Sequence, residues 1–180
     1  MREAIIFLID GFEEIEALAV TNLLRRGEVD VITASLTGNK TVTGSHGIPV
    51  ITDAMFPYYD SDENTMLILP GGPGTSKYKE HKSLLDSLCE HSSNNGKIAA
   101  ICAAPSILGM VGLLKGKKAC CYPGFEKELT DAVVCDMSVV VDGNIITGRS
   151  AGASLEFAFA VLSVLKGDTI ANKVREKIVM

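Results

Sequence analysis

Short apolar runs alternate with amphipathic stretches along most of the chain. The runs have the length of buried strands, whereas the stretches between them repeat apolar residues at helical spacing. The runs predicted as buried strands are Ala4–Ile9, Val29–Ala34, Met66–Leu69 and Lys97–Ile101. This alternation is typical of a parallel sheet with helices on both faces. The pattern therefore predicts an α/β protein.

The apolar faces between these strands define the predicted helices. Helices are expected over Glu13–Arg26, around Leu84 to Cys89, over Ala103–Leu114, over Leu155–Leu165 and along the stripe of Ile170, Val174 and Ile178. Further short strands are expected at Thr41–Thr43, Pro49–Thr52, Lys118–Cys121, Val133–Cys135, Ser138–Val141 and Ile145–Thr147. Asp142-Gly143-Asn144 is a strong hairpin signal before the strand at Ile145. No linker divides the pattern, so residues 1–180 are expected to form a single domain.

Composition and charge narrow the functional classes. The 180 residues carry a net charge of −5, with a pI of about 5.2. No cluster of Lys or Arg forms a basic stripe, so a nucleic-acid partner is not expected. The first apolar stretch is too short for a signal sequence, and no segment is long enough to span a bilayer. A membrane partner is therefore not expected either.

The cysteines indicate a reducing compartment. There are five, an odd number without a C-x-x-C pair, which fits neither a disulfide framework nor a zinc site. We therefore expect cytoplasmic residence and no metal or other cofactor. Cys120 and Cys121 are adjacent, and in a strand they would point to opposite faces. A structural role for them is favoured over a redox pair.

Cys102 lies where a buried strand should end and a helix begin. The small residues Ala100, Ala103 and Ala104 flank it and permit a sharp turn, as around the nucleophile of a G-x-S-x-G elbow. Such a turn would project the sulfur over the strand end toward the next helix, whose field is expected to lower the thiol pKa. A small core cysteine is the alternative. The strand-then-turn context favours a nucleophile.

Glu16 is the candidate acid or base. Three acidic residues open the first predicted helix, and Glu13 and Glu14 are interpreted as solvated residues favoured by the helix dipole. Glu16 instead aligns with Val20 and Leu23 on the apolar stripe. A buried carboxyl has a raised pKa, as a general acid or base requires. An acid at the edge of the stripe that reaches solvent is the alternative.

Two further strand ends could complete a pocket, because open α/β sheets bind ligands at the carboxyl ends of their strands. Gly71 and Gly72 follow one core strand but lack the spacing of a nucleotide-binding loop. The Gly72 and Ala103 amides could stabilise an oxyanion, although a tight turn also explains the glycines. Tyr122 could supply a phenol or could be an ordinary loop tyrosine.

Four motifs together resemble the ThiJ/PfpI superfamily, and within it the branch of the Parkinson-associated DJ-one protein. They are FLIDGFEEIEAL, LILPGGPG, IAAICAAPSIL and ITGRSAGASLEFAFAVL, in the family's order. The resemblance implies a flavodoxin-like, doubly wound three-layer sandwich with a mostly parallel sheet. It implies that Cys102 is the elbow cysteine, that Glu16 is its hydrogen-bonded acid, and that Gly71, Gly72 and Ala103 surround them. It also implies a cytoplasmic homodimer, with Arg26, His46 and Arg149 where relatives place interface residues.

The chain departs from its relatives in two histidine-related positions. Tyr122 occupies the place where many relatives carry a histidine next to the cysteine, so a Cys-His-acid triad is not expected. His46 stands where related proteins often have arginine and is a candidate pocket residue. His81 and His91 flank an amphipathic helix and are expected to face solvent. No histidine follows His91, which argues against a class I glutamine amidotransferase.

The expected chemistry is attack of Cys102 on a small reactive aldehyde. A 2-oxoaldehyde such as methylglyoxal would form a hemithioacetal, and Glu16 would then move a proton between carbons to give lactate. This matches the glutathione-independent glyoxalase and deglycase activities that the resemblance implies. Peptide hydrolysis would need an acid for the leaving amine, so a protease is disfavoured. The alternative is a redox sensor or chaperone-like protein that acts through oxidation of Cys102 without turnover.

Overall fold

A computed structural model describes residues 2–57, 62 and 64–180. The strands are β1 Ala4–Leu8, β2 Val31–Ser35, β3 Thr41–Thr43, β4 Pro49–Ile51, β5 Ala54–Met55, β6 Met66–Leu69, β7 Ile98–Ile101, β8 Lys118–Ala119, β9 Val133–Val134, β10 Val139–Asp142 and β11 Ile145–Gly148. The helices are α1 Glu14–Arg26, α2 Lys82–Ser93, α3 Pro105–Met110, α4 Ser154–Lys166 and α5 Asp168–Lys177. The sequence also predicts a loop rich in Tyr, Asp and Ser before β6, and residues 58–61 and 63 of this loop lie outside the described residues.

Seven strands form the central sheet in the order β10-β11-β7-β6-β1-β2-β5. All neighbouring pairs are parallel except β10 and β11, which form the hairpin predicted from Asp142-Gly143-Asn144. Every residue of β1, β6 and β7 is buried, as their continuous apolar sequences predict. The carboxyl ends of these three strands meet at one edge of the sheet, beside the reversal of strand order.

Helices cover both faces of the sheet. One apolar core joins residues of α1, α4 and α5 to one face, and a second joins residues of α2 and α3 to the other. Phe157 and Phe159 of α4 are fully or almost fully buried, as expected for that nearly continuous apolar helix. The predicted three-layer α/β sandwich with a mostly parallel sheet is confirmed.

Several local elements differ from the prediction. The helix expected over Ala103–Leu114 is confined to α3, because the chain turns after Met110 and Gly112 adopts a φ of +78°. A 3-10 helix at Pro73–Glu80, which carries the fully buried Tyr78, was not predicted. The strand expected at Lys118–Cys121 ends at Ala119, and β8 pairs with β9 in a separate two-stranded sheet.

Among the described residues, none of the helices combines the length and apolar character needed to cross a membrane.

Candidate active site

Cys102 directly follows β7 and has the turned backbone expected of an elbow. Its backbone φ of +65° lies in the left-handed region, which residues other than glycine seldom adopt. Its backbone N–H donates to the Gly148 carbonyl at 2.9 Å, and its carbonyl accepts from the Tyr122 N–H at 2.8 Å. These bonds hold the turn between β11 and the segment after β8. The cysteine itself is half-buried.

Glu16 lies in the first turn of α1 and points into the protein. The residue is 1% exposed, and its stripe neighbours Val20 and Leu23 are also buried. Its Oε2 accepts a hydrogen bond from the Gly71 N–H at 2.7 Å. Its Oε1 has no hydrogen-bond partner of ordinary geometry among the described residues. The alternative of an acid reaching solvent therefore does not hold.

The carboxyl of Glu16 is difficult to ionise. Burial raises its pKa from 4.5 to about 7, and the charge of Glu13 adds to the rise. The Cys102 side chain and the Gly71 N–H oppose this shift by interacting with the carboxylate.

Cys102 is also held in its protonated form when Glu16 is ionised. Burial, followed by the charge and hydrogen bonding of Glu16, raises the thiol pKa from 9.0 to about 12. The backbone N–H groups of Gly72 and Ala103 act in the opposite direction. The prediction that the helix lowers the thiol pKa is therefore wrong for the state in which Glu16 is ionised. Protonation of Glu16 removes that opposing charge, so the two groups compete for a proton.

A cleft of about 450 Å³ opens over the sulfur. Its lining combines two carboxylates, the thiol and two aromatic rings. The lining residues are Glu13, Glu16, Gly72, Pro73, Cys102, Ala103, Tyr122, Phe125 and Ala151. Tyr122 is 47% exposed and offers its ring to this space. The predicted residues Glu16, Cys102, Gly72, Ala103 and Tyr122 therefore come together in one cleft.

Gly71 lies behind the cleft and allows the close approach of its neighbours. A Cβ added there would lie 2.7 Å from the Cys102 Cβ and 2.9 Å from Glu16 Oε2. Both distances are too short for any larger side chain. Glycine at this position is therefore required for the cysteine and the acid to approach one another.

His46 is not among the residues that line this cleft. Its side chain is 69% exposed and lies on Glu14, with Nδ1 2.9 Å from Oε2 of that residue. The hydrogen bond with Glu14, together with the charges of Glu13 and Glu14, raises the His46 pKa. Arg149 is also absent from the cleft lining and forms an ion pair with Asp136. The assignment of Arg26, His46 and Arg149 to a subunit interface stays a prediction.

Glu14 is buried, although the sequence analysis interpreted it as a solvated residue. It is 4% exposed rather than solvated, and its pKa is lowered to about 2, because hydrogen bonds from His46 and Ser45 outweigh the effect of burial. The sequence did hold a signal for its burial. Glu14, Ala17 and Thr21 follow one another at helical spacing, and all three are buried on α1.

His91 is also more enclosed than predicted. It is half-buried rather than solvent-facing, and its Nε2 is enclosed without a hydrogen-bond partner among the described residues. Burial lowers its pKa. His81 is likewise only partly exposed. Neither lines the cleft, so no histidine among the described residues joins Cys102 there.

Comparison with known proteins agrees with the geometry. The sequence profile of the DJ-1/PfpI family matches residues 2–164. Protein dj-1beta of Drosophila melanogaster is 36% identical over 169 residues, covering 92% of this chain and 90% of that protein. A protein named a deglycase from Pyrococcus abyssi is 31% identical over 150 residues, covering 82% of this chain and 90% of its own length.

The fold is similar to that of solved DJ-1 structures. The crystal structure of Drosophila melanogaster DJ-1beta has a TM-score of 0.92 and 32% identity, with 100% of this chain and 99% of that chain covered. The chain spans only 37% and 45% of the two longer DJ-1 homologues of Arabidopsis thaliana. By its sequence profile and its relatives, this chain belongs to the DJ-1/PfpI family.

Proposed function

We propose that this protein is a cysteine-dependent enzyme of the glyoxalase or deglycase type that acts on small reactive aldehydes. The observation that carries the proposal is the pairing of Cys102, on a strained elbow, with the buried carboxyl of Glu16 under an open cleft. Family members named deglycases support the same class of substrate.

The reaction begins with addition of the Cys102 thiol to the aldehyde carbon of a 2-oxoaldehyde such as methylglyoxal. A C–S bond forms, and the thiol proton passes by way of Glu16 to the carbonyl oxygen. Glu16 then removes the proton from C1 and returns a proton to C2, which converts the hemithioacetal to a thioester. Water hydrolyses the thioester, releases lactate and restores the thiol. One methylglyoxal and one water give one lactic acid.

The site residues suit these steps. With its pKa raised to about 7, Glu16 is populated in both protonation states near neutral pH, which is the condition for efficient proton transfer in both directions. The N–H groups of Gly72 and Ala103 lower the pKa of the Cys102 thiol, and in the proposed reaction they would also stabilise the negative charge that develops on the substrate oxygen.

The cleft favours neutral aldehydes over anionic ones. Glu13 and Glu16 contribute carboxyl groups, Tyr122 and Phe125 contribute rings, and no basic side chain is among the lining residues. A substrate carboxylate or phosphate would therefore find no countercharge there. Methylglyoxal should be consumed with a higher kcat/KM than a 2-oxoaldehyde that carries a phosphate group, such as hydroxypyruvaldehyde phosphate, and Glu13→Gln should narrow the difference.

Glu16→Gln in deuterated water tests the proton transfer. Glutamine keeps an acceptor for the Gly71 N–H but cannot exchange the proton, so we expect kcat for methylglyoxal to fall by about 10²-fold or more. Lactate formed by the wild type should carry deuterium at C2. An unchanged kcat in Glu16→Gln would contradict the role of Glu16.

A redox sensor is the second candidate, because the same donors that stabilise an oxyanion would stabilise oxidised sulfur. The Gly72 and Ala103 N–H groups act on the Cys102 sulfur, which is partly accessible. Peroxide would convert the thiolate to sulfenate and then to sulfinate, with one water released at each step. Stoichiometric oxidation at Cys102 in a protein that turns over no aldehyde would favour this sensor.

A cytoplasmic homodimer completes the proposal. The unpaired cysteines support a reducing compartment. The helix α1 and the β3–β4 hairpin expose large apolar side chains, which is the surface property that a subunit interface covers. These residues are Ile15, Leu18, Ile48 and Ile51.

A further inference from the structure

Glu13, Glu14 and His46 bring three metal-binding side chains together beside the cleft. One ligand atom of each lies within 4.8 Å of the other two, and no other such group of three is found among the residues that the structure describes. Neither the aldehyde reaction nor the oxidation of Cys102 uses His46 or Glu14. The group of Glu13, Glu14 and His46 is therefore not explained by the proposed reaction.

The spacing of the ligand atoms suits a four-coordinate ion. Nδ1 of His46 is 2.9 Å from Oε2 of Glu14 and 3.7 Å from Oε2 of Glu13. In a tetrahedral site with bonds of about 2.0–2.1 Å, ligand atoms are about 3.4 Å apart. The two observed distances lie on either side of that value. Only small side-chain movements would bring these atoms into coordination.

A fourth oxygen faces the same point. The Ser45 hydroxyl lies 3.1 Å from Oε2 of Glu14 and 3.2 Å from Oε2 of Glu13. It is also 3.0 Å from Nδ1 of His46. The four side chains thus converge from two separate segments of the chain, the start of α1 and the β3–β4 turn.

Backbone contacts fix the two segments against each other. The Ser45 N–H donates to the Phe12 carbonyl at 2.8 Å, and the His46 N–H donates to Oε1 of Glu14 at 2.7 Å. A Cβ at Gly44 would lie 2.3 Å from the Glu14 carboxyl, so glycine permits this approach. The turn is therefore held in place before any ligand binds.

The charge of the group favours a cation. The side chains of Glu13 and Glu14 are only 14% and 5% exposed, and the basic partner they share is the exposed His46. Two poorly hydrated carboxylates close together repel one another, and a bound cation relieves that repulsion. Glu13 precedes α1 without using its side chain as a helix cap, and its carboxylate is directed toward Ser45 and His46 instead.

We propose that Glu13, Glu14 and His46 form a binding site for a borderline divalent metal ion of the Zn²⁺ class, with Ser45 or water as the fourth ligand. Two carboxylates and an imidazole suit such an ion better than the all-oxygen sets that Mg²⁺ and Ca²⁺ prefer. The ion would take the place of the proton between His46 and Glu14. The proposal does not rest on aldehyde turnover.

Calorimetric titration of chelator-stripped protein with zinc chloride tests the site. The wild type should bind one Zn²⁺ per chain at this position, and His46→Ala should weaken that binding by about tenfold or more. Glu13→Gln should weaken it in the same direction. The matched control His81→Ala should bind as the wild type does. Absence of zinc binding, or equal affinity in wild type and His46→Ala, would overturn the proposal.

X-ray absorption at the zinc edge separates this site from binding to cysteine. Nitrogen and oxygen ligands give bonds of about 2.0–2.1 Å, whereas thiolates give about 2.3 Å. The loaded wild type at one Zn²⁺ per chain should show only the shorter bonds. A sulfur shell at the longer distance would assign the metal to the cysteines and sink the proposed site.

Discussion

At the scale of single residues, Glu16 has a carboxyl group in a place that water hardly reaches. The residue is 1% exposed, and its pKa is raised to about 7. A folded-state pKa above the unfolded value contributes stability that is fully present below the unfolded pKa and is lost as the pH rises through the folded one. Ionisation of Glu16 should therefore destabilise the protein between about pH 4.5 and 7.

Replacement of Glu16 by glutamine should remove this dependence on pH. Relative to Glu16→Gln, the free energy of unfolding of the wild type should fall by about 3 kcal/mol between acidic and slightly alkaline pH, because one pKa unit corresponds to about 1.4 kcal/mol. Denaturant unfolding at several pH values measures the difference. The exposed control Glu156→Gln accounts for the loss of a carboxylate as such. A difference that does not change with pH would contradict the raised pKa.

Gly71→Ala should disturb the site although both functional residues, Cys102 and Glu16, stay in the chain. The added methyl would meet the Cys102 Cβ at 2.7 Å and the Ile101 carbonyl oxygen at 2.8 Å, so the strand end must shift. We expect aldehyde turnover to fall by about tenfold or more and stability to fall by about 1–3 kcal/mol. Turnover assays and thermal unfolding measure the two effects.

The exposed Gly152 provides the matched control. A Cβ there would approach only the Ser150 hydroxyl, at 3.7 Å, so Gly152→Ala should leave turnover and stability near those of the wild type. Equal turnover in the Gly71→Ala and Gly152→Ala variants would show that close packing around Cys102 does not matter.

The sequence predicted the pairing of Cys102 with Glu16 and the raised pKa of Glu16, but it gave the wrong direction for the pKa shift of Cys102. Position at a strand end and on an apolar stripe can be inferred from neighbouring residues. Burial of the thiol and the effect of the Gly71 N–H on Glu16 depend on segments that are distant in the chain. The direction of the Cys102 pKa shift could therefore not be predicted from the local sequence around the cysteine.

At the scale of elements, the turn between β7 and α3 stores conformational strain. Cys102 has a φ of +65°, which glycine adopts freely and alanine does not. Cys102→Gly should therefore be more stable than Cys102→Ala by about 1 kcal/mol. Denaturant unfolding of the two variants gives this difference directly.

Cys89 of α2 serves as the control, because glycine is the poorer residue inside a helix. There the order should reverse, with Cys89→Ala more stable than Cys89→Gly by about 1 kcal/mol. If alanine is the more stable residue at both positions, Cys102 does not hold a strained backbone.

The long apolar elements were easier to predict than the short ones. Strands β1, β6 and β7 and helix α4 have continuous apolar sequences that few other environments explain. The two-residue β5 lacks enough residues to show a period. The helix predicted at α3 was too long because the apolar spacing continues past Met110, although Gly112 favours a turn there.

At the scale of the whole molecule, the homodimer remains a prediction. The exposed Ile51, at 77%, and Ile48, at 50%, lie at the β3–β4 hairpin that also carries His46. Light scattering coupled to size exclusion should give about twice the chain mass of 19.1 kDa. Ile51→Glu should shift the population toward the monomer, because a charge in an apolar interface is costly.

A substitution in a different two-stranded sheet controls for the added charge. Val133 is 54% exposed on β9, and Val133→Glu should leave the mass unchanged. If the wild type is a monomer, or if both variants remain dimers, the β3–β4 hairpin is not part of a subunit interface.

In the proposed function, Cys102 is the nucleophile of an aldehyde-processing enzyme. The most direct test is the steady-state rate of lactate formation from methylglyoxal by the wild type, Cys102→Ser and the control Cys89→Ser. Serine keeps the shape of the site but is the weaker nucleophile at neutral pH. We predict that Cys89→Ser keeps the wild-type rate, while Cys102→Ser shows no rate above that of buffer. Turnover by Cys102→Ser at the wild-type rate would contradict the account.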